Sequence, residues 1–487
     1  MKWFTFKNNK CRLIGILMLW NWLTAVYAPA TAQQAMPKRL PGQPSEIEVT
    51  PYKTTMLANG RDTARIVINI IDVNGKKVPG ARASLHLHII GDARITNIKG
   101  IKNFRGLQHT DSTWTVPVAG SCSVILQAGR TRGSVKFVAN ANRADSLYPG
   151  STEIHTVQEG KPHPVTSEVY QPRHVNGKIL GADISFLPEL ESRNAKFSDK
   201  GVERDAIEIF KDHGFNYIRI RIFNNPAQPK GYSPGKGFCD LAHTKEMAKR
   251  IKAAGLKFLL DFHYSDYWAD PQQQYKPAAW AGENFTALKK SVYDYTVDVM
   301  KQLEAQGTTP DMVQVGNEIN HGMIWPEGAI NNLDSLAQLI YSGVRGVHAV
   351  SPQTAVMLHI ALGGQNAEAR FFLDNMLERH VPFDVIGLSY YPKWHGTPAD
   401  LKANMADLAK RYHRQVMVAE YTQLKQQVND IAFHVPYGEA LGTFIWEPIN
   451  TWESVFDHQA QGTDYHTNSY IDLYPQIAKK YDISTVK

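Results

Sequence analysis

The chain has 487 residues, 43% hydrophobic and 20% charged, with 53 Lys and Arg against 46 Asp and Glu for a formal charge of +7. This length suits two domains, or one large barrel with an addition, and the apolar share excludes an intrinsically disordered chain. The positive charges form no concentrated stripe, so nucleic-acid binding has no support.

The first residues follow the plan of a secretory signal. Lys2, Lys7, Lys10 and Arg12 precede an apolar run from Leu13 to Val26, and Ala30-Thr31-Ala32 offers a small-residue cleavage site, so residues 1–32 are expected to be removed. The run is short for a bilayer and no later segment qualifies. The expectation is a protein without a membrane span, secreted, periplasmic or at the cell surface of a bacterium. Loss of the leader's cations lowers the formal charge to about +3. Cys11 lies in the leader, while Cys122 and Cys239 fit neither a disulfide framework nor a zinc motif and read as free, buried thiols.

Residues 45–141 read as all-β. "ARIVINIIDV", "ARASLHLHII", "TWTVPVA" and "CSVILQAG" alternate or run apolar between Asn-Gly, Pro-Gly and Gly-Asp turns, and "DVNGKKV" around Asn74-Gly75 is a hairpin signal. About a hundred residues of short strands predict an immunoglobulin-like β-sandwich. Trp114 is its only tryptophan, which favours a spacer over a sugar-binding module. Residues 142–175, rich in Pro, Ser, His, Gln and Glu without periodicity, read as a linker.

From 176 to 487 apolar runs alternate with amphipathic helices. Strands are predicted at 178–185, 217–223, 257–263, 312–318, 355–361, 384–391, 415–421 and 440–447, each followed by a helical stretch. Eight such units fit a (β/α)8 TIM barrel, and the lack of a Gly-rich dinucleotide fingerprint after any strand counts against an open nucleotide-binding sheet.

Function in such a barrel collects at the C-terminal ends of the strands. Those ends carry Asp183; Arg219 and Arg221; Asp261 and His263; Asn317 and Glu318; His359; Tyr390 and Tyr391; Glu420; and Trp446 with Glu447. Glu318 and Glu420 end strands four and seven, on different sides of the mouth. Two carboxyls facing each other across a substrate suit glycoside hydrolysis, although either acid alone could equally close a strand or pair with a cation. Asn317 could hold a sugar hydroxyl beside the cleaved bond. Arg219 and Arg221 share a strand face. One of them should keep Glu420 ionised, and Arg221, nearer the mouth, is the expected one. Tyr264, Trp268, Trp280, Trp325, Trp394 and Trp446 lie in or near the βα loops, where rings can stack on sugar faces, with Trp446 and Trp394 the favoured platforms. His263, His321, His359 and His395 raise the question of a metal, but "GADIS" on the first strand lacks the His-x-His that metal-dependent barrel hydrolases use. No metal and no cofactor are expected.

"GADISFLPELE", "GFNYIRIRIFNNP", "KFLLDFHYSDYWADP", "VQVGNEINHGMIWP", "DVIGLSYYPKWHGT" and "VMVAEY" together resemble the motifs of family 53 glycoside hydrolases, the arabinogalactan endo-β-1,4-galactanases, over residues 177–485. The resemblance implies a retaining enzyme acting on the β-1,4-galactan of type I arabinogalactan, with Glu318 of "GNE" as acid/base and Glu420 of "AEY" as nucleophile. It implies that Tyr390, rather than Tyr391, hydrogen-bonds the nucleophile. Substrate contacts are expected from Asp183, Arg221, Asp261, His263, Trp268, Asn317, Tyr390, Trp394 and Trp446, with the protein acting as a monomer. A retaining pair sits about 5–5.5 Å apart, an inverting pair about 6.5–9.5 Å. Bacterial members often carry a long calcium-binding loop after strand seven. Here "TQLKQQVNDIAFHVPYGEA" is short and lacks a carboxylate cluster, so no calcium is expected there. A related β-glycanase, such as a mannanase or cellulase, and a non-catalytic carbohydrate-binding protein remain the alternatives.

Overall fold

The computed structural model describes residues 41–73, 75–100, 113–142, 145, 147–157, 170–451, 453–458 and 462–483. The predicted leader at 1–32, Asn74 of the predicted hairpin and residues 158–169 of the predicted linker lie outside these.

Nine strands form the N-terminal unit among the described residues: β1 (Glu46–Pro51), β2 (Thr55–Leu57), β3 (Thr63–Ile71), β4 (Arg82–Ile90), β5 (Ala93–Lys99), β6 (Thr113–Ala119), β7 (Ser121–Ala128), β8 (Gly133–Ala141) and β9 (Gly150–Val157). They make two sheets, β1-β3-β7-β5 and β2-β9-β8-β4-β6. The period of two decides which side chains go inside. In β3, Ala64, Ile66, Ile68 and Ile70 are buried, and in β4 so are Ala83, Leu85 and Leu87 while His86 and His88 face outward. Together with Val124, Leu126, Val135 and Phe137 they fill one apolar layer between the sheets, each fully buried aliphatic or Phe side chain worth about 1.5–3 kcal/mol. Cys122 is buried in this layer, and both it and Cys239 are free thiols.

The sandwich extends further than its sequence pattern. β9 falls inside the stretch expected to be a linker from 142, yet Gly150–Val157 pairs antiparallel with β8 and parallel with β2. Its polar "STEIHT" hides the alternation, because Ile154, Thr156 and Val157 are the buried members. The backbone ladder, rather than an apolar stripe, places this strand.

The barrel closes as predicted, with eight parallel strands in chain order: β10 (Ile179–Asp183), β13 (Tyr217–Ile222), β14 (Lys257–Phe262), β15 (Met312–Val315), β16 (Ala355–Ile360), β17 (Val385–Ser389), β18 (Gln415–Tyr421) and β19 (Ala440–Trp446), the last pairing with the first. The short β11 (Lys196–Asp199) and β12 (Val202–Glu203) join β20 (Phe456–Asp457) and β21 (Asp464–Thr467) in a small sheet beside it. The helices are α1 (Leu187–Glu191), α2 (Ala206–Asp212), α3 (Leu241–Ala253), α4 (Phe285–Ala305), α5 (Leu333–Val350), α6 (Asn366–Glu378), α7 (Pro392–His395), α8 (Pro398–Tyr412), α9 (Lys425–Phe433) and α10 (Leu473–Lys480). Several start on capping side chains: Asp240 for α3, Asn284 for α4, and a Thr397/Asp400 capping box for α8. Nearly half of the loop expected to be short after strand seven is α9. Among the described residues no helix is long and apolar enough to cross a membrane.

The barrel interior is layered. Tyr217, Leu259, Met312, Met357, Met417 and Phe444 plug its lower end. Above them the inward positions turn polar: Asp183 pairs in register with Arg219, Arg221 with Asp261, and Asp261 with Gln314. An apolar floor beneath a charged layer opens the functional end only at the strands' C-terminal side.

Candidate active site

Most strands stop one or more residues short of the predicted end, and this sets where the side chains point. β15 ends at Val315; Gly316 then takes φ 82°, where an added Cβ would come within 2.5 Å of the Ile319 side chain. Glu318 itself is left-handed, with φ 48° and ψ 49°, a conformation costly for a non-glycine residue and held only by its surroundings. The backbone therefore turns Glu318 out of the wall and over the mouth.

Glu318 and Glu420 line one cavity of about 280 Å³ together with Asp183, Arg219, Arg221, Asp261, His263, Trp268, Ala269, Asp270, Asn317, Tyr391, Trp394 and Trp446. A second cavity of about 320 Å³ lies between sandwich and barrel. Its carboxylates are already committed, Asp62 to Lys53 and the Leu57 amide, Glu368 to Thr54 and His321, so the barrel mouth is where free acid chemistry can occur.

The two glutamates have different neighbours. Glu420 Oε1 accepts from Arg219 Nη1 at 2.8 Å, and Oε2 accepts from the Tyr391 hydroxyl at 3.2 Å. Arg219 is wholly buried and also donates to Asp183 at 2.8 Å, Asp261 at 2.9 Å, Asn317 at 2.9 Å and Gln314 at 3.1 Å. Burial opposes its charge, but Asp261, Glu420 and Asp183 outweigh that and hold its pKa above the ordinary value. Glu318 has no such cation in contact. Its Oε1 lies 2.6 Å from Ser389 Oγ, and the side chain, deep in the mouth, keeps an edge on the cavity. Burial first, and then the charge of Glu420, push its pKa up to about 8. Burial raises Glu420 as well, with Arg219 opposing. With the cation and the tyrosine on Glu420, the shared proton belongs on Glu318.

A buried chain of hydrogen bonds supports that placement. Asn317 Oδ1 accepts from Arg219 and Gln314, so His359 Nδ1, 2.9 Å away, must carry a proton to approach it. Burial, then the Arg219 charge, hold the His359 pKa well below the ordinary value, so the ring is neutral and Nε2 is an acceptor. Ser389 Oγ, 2.9 Å from that Nε2, gives it the hydroxyl proton and is left to accept from a protonated Glu318.

Two expectations are corrected. Arg221 is not the cation on Glu420. It lies over the adjoining rings of Phe186 and Trp268, 4.4 and 4.3 Å from their centroids, and its Nη1 bonds Glu447. Arg219, one layer deeper, is where the fork reaches across to strand seven. Tyr390 is fully buried and gives its hydroxyl to the Gly396 carbonyl, whereas Tyr391 reaches Glu420. Simple alternation along β17 puts Tyr391 on the inward side with Val385 and Ser389 and Tyr390 in the outer core with Ile386 and Leu388, while the register irregularity has its extra residue, Ala419, in β18 just before Glu420.

The other predicted contacts are brought together. Asp183 and Asp261 hold Arg219, and His263 Nε2 donates to Asp261 while its Nδ1 accepts from the Ala269 amide. Asn317 gives one amide N–H to the Ala269 carbonyl at 2.9 Å. Trp268 and Trp446 stand edge to face 6.4 Å apart, and Trp394 is 49% exposed with its ring edge-on to Tyr391 at 5.8 Å. Tyr264 and Trp280 are instead buried in the core. The sequence reading did not single out Ala269, Asp270, Gln314 or Ser389. Gln314 sits one position before the strand end, and its inward parity was the only available signal.

The family model for glycosyl hydrolase family 53 matches residues 179–434, and that for glycoside hydrolase family 2 C-terminal domain 5 matches residues 47–147. The chain is 39% identical over 253 residues to an arabinogalactan endo-beta-1,4-galactanase of Cellvibrio japonicus, covering 50% of this chain and 64% of that protein. It is 33% identical over 328 residues to a probable arabinogalactan endo-beta-1,4-galactanase A of Aspergillus terreus, covering 59% of this chain and 91% of that one. Among solved structures it resembles the family 53 catalytic domain of Ignisphaera aggregans, with TM-score 0.57 and 30% identity over 63% of this chain and 99% of that domain. The chain spans 56 to 66% of the length of the first three curated bacterial relatives it matches. A barrel with acids at strands four and seven, matched by the family model over more than half its length, makes the chain a member of glycosyl hydrolase family 53.

Proposed function

We propose that the protein is an exported, retaining endo-β-1,4-galactanase that cuts the galactan backbone of type I arabinogalactan, with Glu318 as acid/base and Glu420 as nucleophile. The observation that carries this reading is the unequal setting of two glutamates on one cavity, one held by Arg219 and Tyr391, the other by Ser389 alone. A nucleophile must be ionised and a leaving-group acid protonated, and these settings favour that division.

The steps follow. Trp268, Trp394 and Trp446 stack on the apolar faces of successive galactose rings and align the chain along the mouth. Glu318 donates its proton to the glycosidic oxygen while a Glu420 oxygen attacks the anomeric carbon. The glycosidic C–O bond breaks, an ester bond to Glu420 forms, and the leaving chain departs as a neutral alcohol. Glu420 is now uncharged, so Glu318 loses a main cause of its raised pKa and becomes a base. It takes a proton from water, the hydroxide attacks the same carbon, and the ester breaks to restore both groups. Two inversions give retention. Tyr391 steadies Glu420 before attack, and Arg219 keeps it charged.

Release of reducing ends from β-1,4-galactan, with mannan and cellulose in parallel, tests the substrate. The expected result is turnover of galactan alone; release from mannan or cellulose but not galactan overturns the choice. Glu420→Gln should abolish turnover and retain oligosaccharide binding, and a variant that still turns over excludes Glu420 as nucleophile.

A further inference from the structure

The sandwich touches the barrel where the acid turn leaves the wall. Val157 of β9 is fully buried in the barrel's own apolar core, with Leu57 of β2 packed against it. Beside them Thr54, between β1 and β2, donates its backbone N–H to Glu368 Oε2 at 2.9 Å and its hydroxyl to Glu368 Oε1. Glu368 is buried in the first turn of α6. Thr54 Oγ1 also meets His321 Nε2 at 2.8 Å, and His321 Nδ1 meets the Pro271 carbonyl at 2.7 Å. The protons can be counted. A carbonyl only accepts, so Nδ1 is an N–H. The single Thr54 hydroxyl proton goes to Glu368, so Nε2 must donate too. His321 is therefore an imidazolium facing the Glu368 carboxylate at 3.5 Å, with Glu153 and His155 of β9 beside it and the His155 ring edge-on at 4.9 Å. Burial opposes the His321 charge, but Glu368 and the Pro271 carbonyl outweigh it and raise the ring's pKa.

His321 ends the turn Ile319–His321 that Glu318 opens. Its carbonyl accepts from the Ile330 amide at 2.9 Å and from Trp325 Nε1 at 3.1 Å, which folds the following loop back on the turn. At the loop's far end Arg132, in the turn between β7 and β8, donates to Asn332 Oδ1 at 3.1 Å. The sandwich thus grips both ends of the segment that follows the left-handed Glu318, a conformation that persists only where neighbours fix it.

We propose that the sandwich is a working part of the catalytic cleft, in which Thr54 and His321 are positioning residues that tie the Glu318 turn to the N-terminal domain and hold the acid on the leaving oxygen. This rests on Glu318 being the acid. The test compares full-length Thr54→Val and Thr54→Ser by kcat/KM on β-1,4-galactan and on a 2,4-dinitrophenyl β-galactobioside, whose leaving group needs no proton. Thr54→Val should lose roughly ten- to a hundredfold on galactan and stay within about threefold on the dinitrophenyl substrate, and Thr54→Ser should restore galactan turnover. Full galactan activity in Thr54→Val, or an equal fall on both substrates, overturns the proposal. Amide exchange over residues 319–332 should quicken in Thr54→Val, and unchanged exchange also overturns it. If the wild-type chain releases nothing from galactan, the galactanase reading fails while the exchange experiment still judges the tether.

Discussion

Replacing Arg219 with Met leaves Asp183, Asp261 and Glu420 without their shared cation. The Arg219–Glu420 contact is 2.8 Å between donor and acceptor, and a charge pair at this range with an effective dielectric near 20 is worth about 4 kcal/mol. Divided by about 1.4 kcal/mol per tenfold change, that approaches a thousandfold in the proton affinity of Glu420. Water entering the gap reduces this, so the acidic limb of kcat/KM, which reports the nucleophile in the free enzyme, should move up by about two pH units. The sign follows from the charge: losing a cation favours the protonated carboxyl, and activity is lost on the acidic side. Arg219→Lys is the control. It keeps the charge but offers three donors where Arg219 serves five side chains, so the limb should stay near its wild-type position while kcat falls. Losing the cation should also destabilise the fold by about 3–5 kcal/mol, so rates are measured well below each variant's melting temperature. An acidic limb left in place by Arg219→Met would refute the assignment of Glu420 as the nucleophile that Arg219 keeps ionised.

Glu318→Gln should be inactive on galactan yet more stable than wild type. Between the ordinary carboxyl value of 4.5 and the folded value of about 8, the unfolded chain ionises Glu318 while the folded one retains the proton, so wild-type stability drains away as pH rises. The amide escapes this, and its advantage, on the order of 4 kcal/mol at pH 8, should nearly vanish at pH 4.5 in calorimetry. Tyr391→Phe, which removes the hydroxyl on Glu420 Oε2, should lower kcat by about tenfold or more, whereas Tyr390→Phe should leave kcat almost unchanged and show up only in melting temperature. Ser389→Ala removes the acceptor for the Glu318 proton and should draw the basic limb of kcat/KM down by about half to one pH unit; a limb that moves up would mean that Ser389 donates to the ionised acid instead.

Eight strands and both glutamates could be read in the sequence because each depends on local chemistry: apolar runs of strand length, and acids placed just past them. The residues misjudged were those whose roles depend on depth and register. Arg219 and Arg221 lie on one face of β13 and look alike in one dimension; only the closed barrel brings the deeper guanidinium within 2.8 Å of strand seven and leaves the outer one stacked on Phe186 and Trp268. Tyr391 shares the inward parity of Val385 and Ser389, whereas Tyr390 joins Ile386 and Leu388 in the outer core, so the choice between the two tyrosines lay in the strand's alternation and not in the motif. β9 was missed because its polar alternate positions mask Ile154 and Thr156, and although β8 just precedes it, its other partner β2 is distant in sequence. The tether through Thr54 spans 314 positions to Glu368 and carries no motif of its own.

The stereochemistry of bond cleavage tests the central claim most directly. Proton NMR of the first products from β-1,4-galactotetraose should show the β-anomer accumulating before mutarotation supplies the α-form. Initial appearance of the α-anomer would mean inversion, and Glu420 could then not be the nucleophile.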